Sequence, residues 1–161
     1  MKLSKILILC VVVITSLTVR AQNTTSVPRY DLVSYGTGTD NTYSAEIFVY
    51  LPKPDKDVDN SIRKSAVHGV IFKGLAAGNG GIEQRPMTDI STETKFADFF
   101  SSFFSDAKRY SDFVNVVDGT LRVEKVEKKL YRIRAIVSVQ EHALRKYLEQ
   151  QHVIESFNDL F

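Results

Sequence analysis

The stretch SIRKSAVHGVIFKGL, Ser61 to Leu75, decides how this chain is read. On a helical wheel Ile62, Ala66, Val67, Val70, Ile71 and Gly74 fall within one half of the circumference, and Lys64, Ser65 and His68 lie on the other. That spacing predicts an amphipathic helix with a wide apolar face. Ala66, Gly69 and Gly74 are small, so part of the helix can approach a sheet closely. A glycine inside a helix costs roughly 1 kcal/mol relative to alanine, and close packing is the natural compensation.

Upstream, Tyr43 to Leu51 alternates, with Ala45, Ile47, Val49 and Leu51 on one face and Glu46, Phe48 and Tyr50 on the other. β-Branched and aromatic residues in that period predict a strand, which Pro52 and Pro54 end. Asp55, Asp57 and Asp59 then lead into the helix, where negative charge suits the positive end of the helix dipole. Tyr30 to Tyr35 is a shorter strand candidate, followed by turn chemistry from Gly36 to Asn41.

Downstream, Leu75 to Ser91 reads as a long loop, made flexible by Gly78-Asn79-Gly80-Gly81 and stiffened by Pro86. Loops of this length are often functional. Its polar residues Asn79, Glu83 and Arg85 are the candidate binding residues, and the extended bias of a residue before proline turns Arg85 outward. Ser91 or Thr92 is placed to cap a second helix, with Glu93 in its first turn. Phe96, Phe99, Phe100, Phe103, Phe104, Ala107 and Tyr110 form one stripe of that helix. Burying a phenylalanine is worth roughly 1.5–3 kcal/mol, so the stripe is read as core; left exposed, it would be an aggregation hazard.

The remaining pattern is strands and one more helix. Asp118-Gly119 is the strongest hairpin signal, between Phe113–Val117 and Leu121–Val126. A turn at Glu127–Lys129 leads to Leu130–Val139, whose Tyr131, Ile133, Ala135, Val137 and Val139 share a dry face. One dry and one wet face is the signature of an antiparallel sheet covered on one side by helices. Ser138 and Glu141 have capping-box spacing for a third helix carrying Ala143, Leu144, Tyr147 and Leu148. His152 is expected in the left-handed conformation that ends a helix, with Val153-Ile154 as a short edge strand. The sum is an α+β domain: a small, mainly antiparallel sheet with helices on one face, in the order β-α-α-β-β-α, spanning residues 43–161 after a flexible segment 22–42.

The first 21 residues read as a secretory signal peptide. Lys2 and Lys5 precede the apolar run Ile6–Ile14, and Val19-Arg20-Ala21 ends on a small residue. Only 14 residues separate Lys5 from Arg20, short of the roughly 20 that span a bilayer. Cys10 follows the large Leu9, which argues against a lipidated cysteine. Cleavage after Ala21 leaves 140 residues, one ordinary domain, without the chain's single cysteine. Eighteen basic residues then face nineteen acidic ones. That balance is not that of a general nucleic-acid binder, and no later apolar run reaches membrane-spanning length.

Three stretches together carry a resemblance: Ala66-Val67-His68-Gly69-Val70-Ile71-Phe72-Lys73-Gly74; Phe99-Phe100 with Phe103-Phe104 and Phe113-Val114; and Leu144-Arg145-Lys146 with Leu148-Glu149 and Val153-Ile154. The chain from about Ala45 to Ile154 resembles a family of small exported proteins of Gram-negative bacteria. Its element order is similar to that of the N-terminal domain of flagellar outer-ring assembly protein T and related small lipoproteins, a likeness that does not fix function. In the family pattern glycine usually precedes the Val-Ile pair of the third stretch, where this chain has His152. The resemblance implies no catalytic residues and no cofactor.

Several constellations imitate chemistry without completing it. Asp55, Asp57 and Asp59 open like a calcium loop, but Asn60 and Ala66 stand where glycine and glutamate are needed. Ser61-x-x-Lys64 has serine acyl-enzyme spacing, but the Lys-Thr-Gly partner motif is absent and Ser111-Asp112-Phe113 is the nearest match to Ser-Asp-Asn. His142 beside Glu141 lacks a second histidine four residues on, so no zinc-protease motif exists. The glycines at 74, 78, 80 and 81 lack phosphate-loop spacing, and the sequon at Asn23 is incidental. The expectation is a non-enzymatic periplasmic or secreted envelope protein that binds a protein partner or helps an assembly, with no metal and no cofactor. The alternatives are a small-ligand or glycan binder using the 76–90 loop, and a hydrolase built on His68.

Overall fold

The computed structural model describes residues 27–36, 38, 41–54, 57–105 and 108–155. The leader with Cys10, the sequon at Asn23, Asp55 and Ala107 lie outside the described residues. The fold is α+β. Strands β1 (Tyr30–Ser34), β2 (Tyr43–Leu51), β3 (Val114–Val116), β4 (Arg122–Glu127) and β5 (Leu130–Val139) form one antiparallel sheet. Its order is β1-β2-β5-β3, with β4 also paired to β5. The helices are α1 (Val58–Phe72), α2 (Ser91–Lys95), α3 (Ala97–Phe104) and α4 (Glu141–Gln150), with a 3₁₀ turn at Arg109–Phe113.

The alternation read from the sequence sets the register. Ile47 lies opposite Ala135 and Val49 opposite Ile133, and all four are fully buried beneath α1. Gly69 is the close-approach point: a Cβ there would sit 2.8 Å from a methyl of Leu32 and 3.0 Å from the ring of Tyr30. The helix is buried more completely than its wheel implies. Ser65 and His68, on the polar half, are as inaccessible as much of the apolar half, because the phenylalanine layer covers the side turned away from the sheet. That layer is core as expected. Phe100, Phe103, Phe104 and Tyr110 are buried, and Phe103 packs against Phe99, Phe104, Phe113 and Tyr147.

Several boundaries differ from the sequence reading, each for a local reason. The strand expected at Tyr30–Tyr35 is present as Tyr30–Ser34 and pairs along its length with Ala45–Val49, so the sheet begins within the segment 22–42 that the sequence reads as flexible. The phenylalanine helix is interrupted at Phe96, where φ −113° and ψ 39° separate α2 from α3. The entry to α2 is held by Asp89, whose carboxylate accepts the Ser91 amide hydrogen at 2.8 Å; neither Ser91 nor Thr92 caps it. Ser138 remains in β5 and Gln140 occupies the cap position of α4, so there is no capping box.

The Asp118-Gly119 turn does not make a hairpin. β3 and β4 both lie on the same side of β5, with Val116 opposite Val137 and Arg122 opposite Arg134. The residues between them loop out of what is otherwise one strand. The Val117 amide donates to the Ile136 carbonyl at 2.8 Å, and the Thr120 hydroxyl accepts the Ile136 amide hydrogen at 3.1 Å. Gly119, at φ 72°, turns the bulge. The true hairpin is the tight connection at Lys128-Lys129 between β4 and β5.

At the C-terminal end of α4, His152 adopts φ 55° as expected. Its amide donates to Glu149 and that of Val153 to Leu148, a Schellman closure made without glycine. The Val153 amide is consumed there, and Val153-Ile154 forms no strand.

Candidate functional site

The sequence's first candidate surface, the loop after α1, is a hydrogen-bonded strap laid along the outer edge of β1. The Ser34 amide donates to Ala76 at 2.8 Å and the Gly36 amide to Asn79 at 3.0 Å; the Ala76 amide returns a bond to Leu32. The Ser34 hydroxyl donates to the Ile82 carbonyl at 2.6 Å. The strap closes on itself through Leu75 and Gln84, which exchange amide bonds at 2.9 and 3.0 Å. Asn79 is engaged: its side-chain amide donates to the Glu46 carboxylate at 2.7 Å. Glu46, on the far face of the sheet from the helices, is also paired with Arg134. Glu83 and Arg85 are exposed. A cavity of about 280 Å³ lies beside the strap, lined by Ser34, Tyr43, Ser44, Leu75, Ile82 and Gln84 among others.

His68 is 8 % exposed and both ring nitrogens are engaged. Tyr30 Oη lies 2.7 Å from Nδ1, and a Glu93 carboxylate oxygen lies 3.4 Å from Nε2. The carboxylate can only accept, so Nε2 carries the hydrogen and Tyr30 donates to Nδ1. Burial holds the imidazole below its ordinary pKa; Glu93 opposes that shift, and Lys73 and Lys64 reinforce it. Burial, then Glu93, raises the Tyr30 phenol far above its usual range. A neutral imidazole between a phenol and a carboxylate is a satisfied core network rather than an open acid–base site. His142 and His152 are exposed on and after α4, and the three histidines are not brought together. Among the described residues no group of histidine, aspartate and glutamate side chains is placed to hold a metal ion.

Ser61 and Lys64 share the wall of a cavity of about 270 Å³ with Asp57, Asn60, Lys108 and Tyr110. Burial lowers the Lys64 pKa, opposed by Asp57 and Glu93. The acidic run leading into α1 resolves into local bonds: Asp57 accepts from the Asn60 side chain, and Asp59 pairs with Arg63 at 2.6 Å.

The feature that sequence reasoning missed is the other edge of the sheet. Every residue of β4 is exposed. Leu121, Val123 and Val126 are 38 %, 48 % and 48 % exposed, with Val117 at 43 % beside them. Among the described residues no strand pairs with the second edge of β4. The contrast with the rest of the sheet is sharp. The β1 edge is sealed by the strap, and the Val114 carbonyl of β3 receives Arg63 at 2.6 Å. An edge left with unpaired amides and carbonyls is a template for another chain. The available signal was that RVEKVE carries charges on both faces, unlike the two-faced strands of the core.

These features define an α+β sheet protein with one sheltered and one open sheet edge. No family model, no curated protein and no solved structure matches the chain. Among the described residues no helix is long and apolar enough to cross a membrane.

Proposed function

We propose that this chain is an exported, non-enzymatic envelope protein that works as a protein-binding or assembly module. The observation that carries the reading is the open β4 edge, with Leu121, Val123 and Val126 exposed beside unpaired backbone. Strand addition to such an edge supplies main-chain hydrogen bonds for affinity and side-chain contacts for specificity. The satisfied surroundings of His68 weigh against the hydrolase alternative. The small-ligand alternative keeps one supporting observation, the cavity beside Tyr43 and Gln84.

A photoreactive residue placed at Val123, and separately at Arg85, tests the reading in envelope fractions. The expected result is a discrete protein adduct at 123. An adduct formed at 85 alone would move the working surface to the strap, as the sequence reading has it. No adduct at either position would refute the module.

A further inference from the structure

Resting on that reading, we infer that the occupant of the β4 edge is a second copy of this chain, paired antiparallel about a two-fold axis through Val123. The alternation of the ladder fixes which groups face outward. The Val117 amide bonds to Ile136 and the Gln140 amide to Phe113, so the even-numbered residues of β5 direct their backbone groups toward β3 and β4. Arg122 and Glu124, opposite Arg134 and Arg132, therefore spend theirs on β5. Val123 and Lys125 present N–H and C=O to the open edge, while the outward Leu121 carbonyl already accepts from Arg122 Nη1. The regular segment is bounded on one side by the Val117–Leu121 bulge and on the other by the register shift between Lys125 and Glu127. Of the outward-facing residues Leu121, Val123 and Lys125, Val123 is the middle one.

A two-fold axis perpendicular to the sheet pairs each residue with one on the same face. Centred on Val123, it sets Val123 against Val123 of the second copy as a hydrogen-bonded pair. Arg122 then lies opposite Glu124, and Glu124 opposite Arg122. Leu121 meets the aliphatic stem of Lys125. Shifting the axis by one residue would oppose Glu124 to Glu124, or Arg122 to Arg122, which like charges directly across a ladder disfavour. The charges of one chain also leave room for this arrangement. Arg122 faces Arg134 across the β4–β5 ladder, a like-charge neighbour already paired with Glu46. Arg122 itself uses Nη1 on the carbonyls of Gly119 and Leu121, each at 2.8 Å. A carboxylate arriving from Glu124 of the second copy supplies the acid that this face lacks beside Arg122. Glu124 already holds Arg132 at 2.6 Å, and its other oxygen can take the incoming guanidinium. The two sheets become one continuous sheet with both helical layers on the same side, an isologous contact that closes as a dimer.

Sedimentation equilibrium of the exported protein tests this across the weak range for small interfaces, micromolar to about 1 mM. The wild-type chain is expected to dimerise within that range. Val123→Pro removes an outward amide that β5 does not use, and proline is tolerated on an edge strand; it should weaken dimerisation at least about tenfold. Arg122→Glu relieves the like-charge pair with Arg134 and gives up the two exposed bonds to the Gly119 and Leu121 carbonyls, so its melting temperature should change little while self-association is lost. Glu124→Lys should also be monomeric. Mixing Arg122→Glu with Glu124→Lys restores opposite charges at both positions, so a mixed dimer should form. A wild-type chain that stays monomeric to about 1 mM, a dimer that survives Arg122→Glu, or a mixture that fails to associate would each overturn the inference. If the chain is monomeric yet a different envelope protein cross-links at Val123, self-pairing falls and the module reading stands.

Discussion

Tyr30→Phe isolates one hydrogen bond in a buried polar site beneath the phenylalanine layer. The substitution keeps the ring that closes against Gly69 and removes only the hydroxyl 2.7 Å from His68 Nδ1. His68 is 8 % exposed, and the other rings packed against it, Phe72 and Phe104, offer no replacement donor; Lys73 Nζ is held over the Tyr30 ring, 4.0 Å from its centroid. Nδ1 is then left unpaired, and swapping the tautomer only strands a hydrogen there instead. A buried polar group deprived of its partner costs about 1–3 kcal/mol. For a domain of this size that corresponds to a melting temperature lower by about 3–10 °C. Equilibrium urea unfolding at pH 8, where His68 is neutral in both folded and unfolded chains, gives the free energy directly. The bond should also show coupling: Tyr30→Phe combined with His68→Leu should cost less than the two single changes added together. A loss below about 0.5 kcal/mol, within the range of ordinary surface substitutions, would mean that His68 Nδ1 is hydrated and that the network is not sealed.

The same imidazole makes stability depend on pH. Its folded pKa is lowered by burial, so between the folded value and the ordinary 6.5 the unfolded chain binds the extra proton; the contribution is complete above about pH 6.5 and is lost as pH falls below it, and a urea midpoint unchanged from pH 8 to pH 5 would contradict this. Phe103→Ala should cost about 3–5 kcal/mol, a transfer loss plus the cavity left among five aromatic neighbours, and urea unfolding would show a loss under about 1 kcal/mol if the ring were exposed. Gly74→Ala places a Cβ 2.2 Å from the Gln84 carbonyl oxygen at a φ of 74°; it should cost at least about 1–3 kcal/mol, and a thermal melt matching the parent would show that the strap can retreat. The intact mass of exported material should begin at Gln22, and a mass retaining residues 1–21 would reject leader cleavage.

The sequence by itself determined the elements whose periodicity is set by burial on one side. Tyr43–Leu51 and Leu130–Val139 must turn alternate residues inward, and Ile62, Ala66, Val70 and Ile71 must share a helical face, whatever packs against them. The phenylalanine layer was legible for the same reason: no solvated arrangement of those rings is tolerable. His152 at the end of α4 was legible because the helix end leaves orphan carbonyls that a left-handed residue closes. The sequence could not say that His68 would be enclosed on the polar half of its helix, since what covers that half comes from residues some thirty positions away. It could not tell a hairpin at Asp118-Gly119 from a bulge, because both need the same turn residues; only the pairing of β3 and β4 to the same strand decides. Nor could it distinguish a strap from a free loop. The backbone bonds that seal Ala76–Gln84 against β1 carry no side-chain signature, and Glu83 and Arg85 look the same on either. The open edge of β4 follows from sheet order alone, since edge strands are defined by which neighbours are missing, and tertiary pairing is what leaves Val123 facing outward.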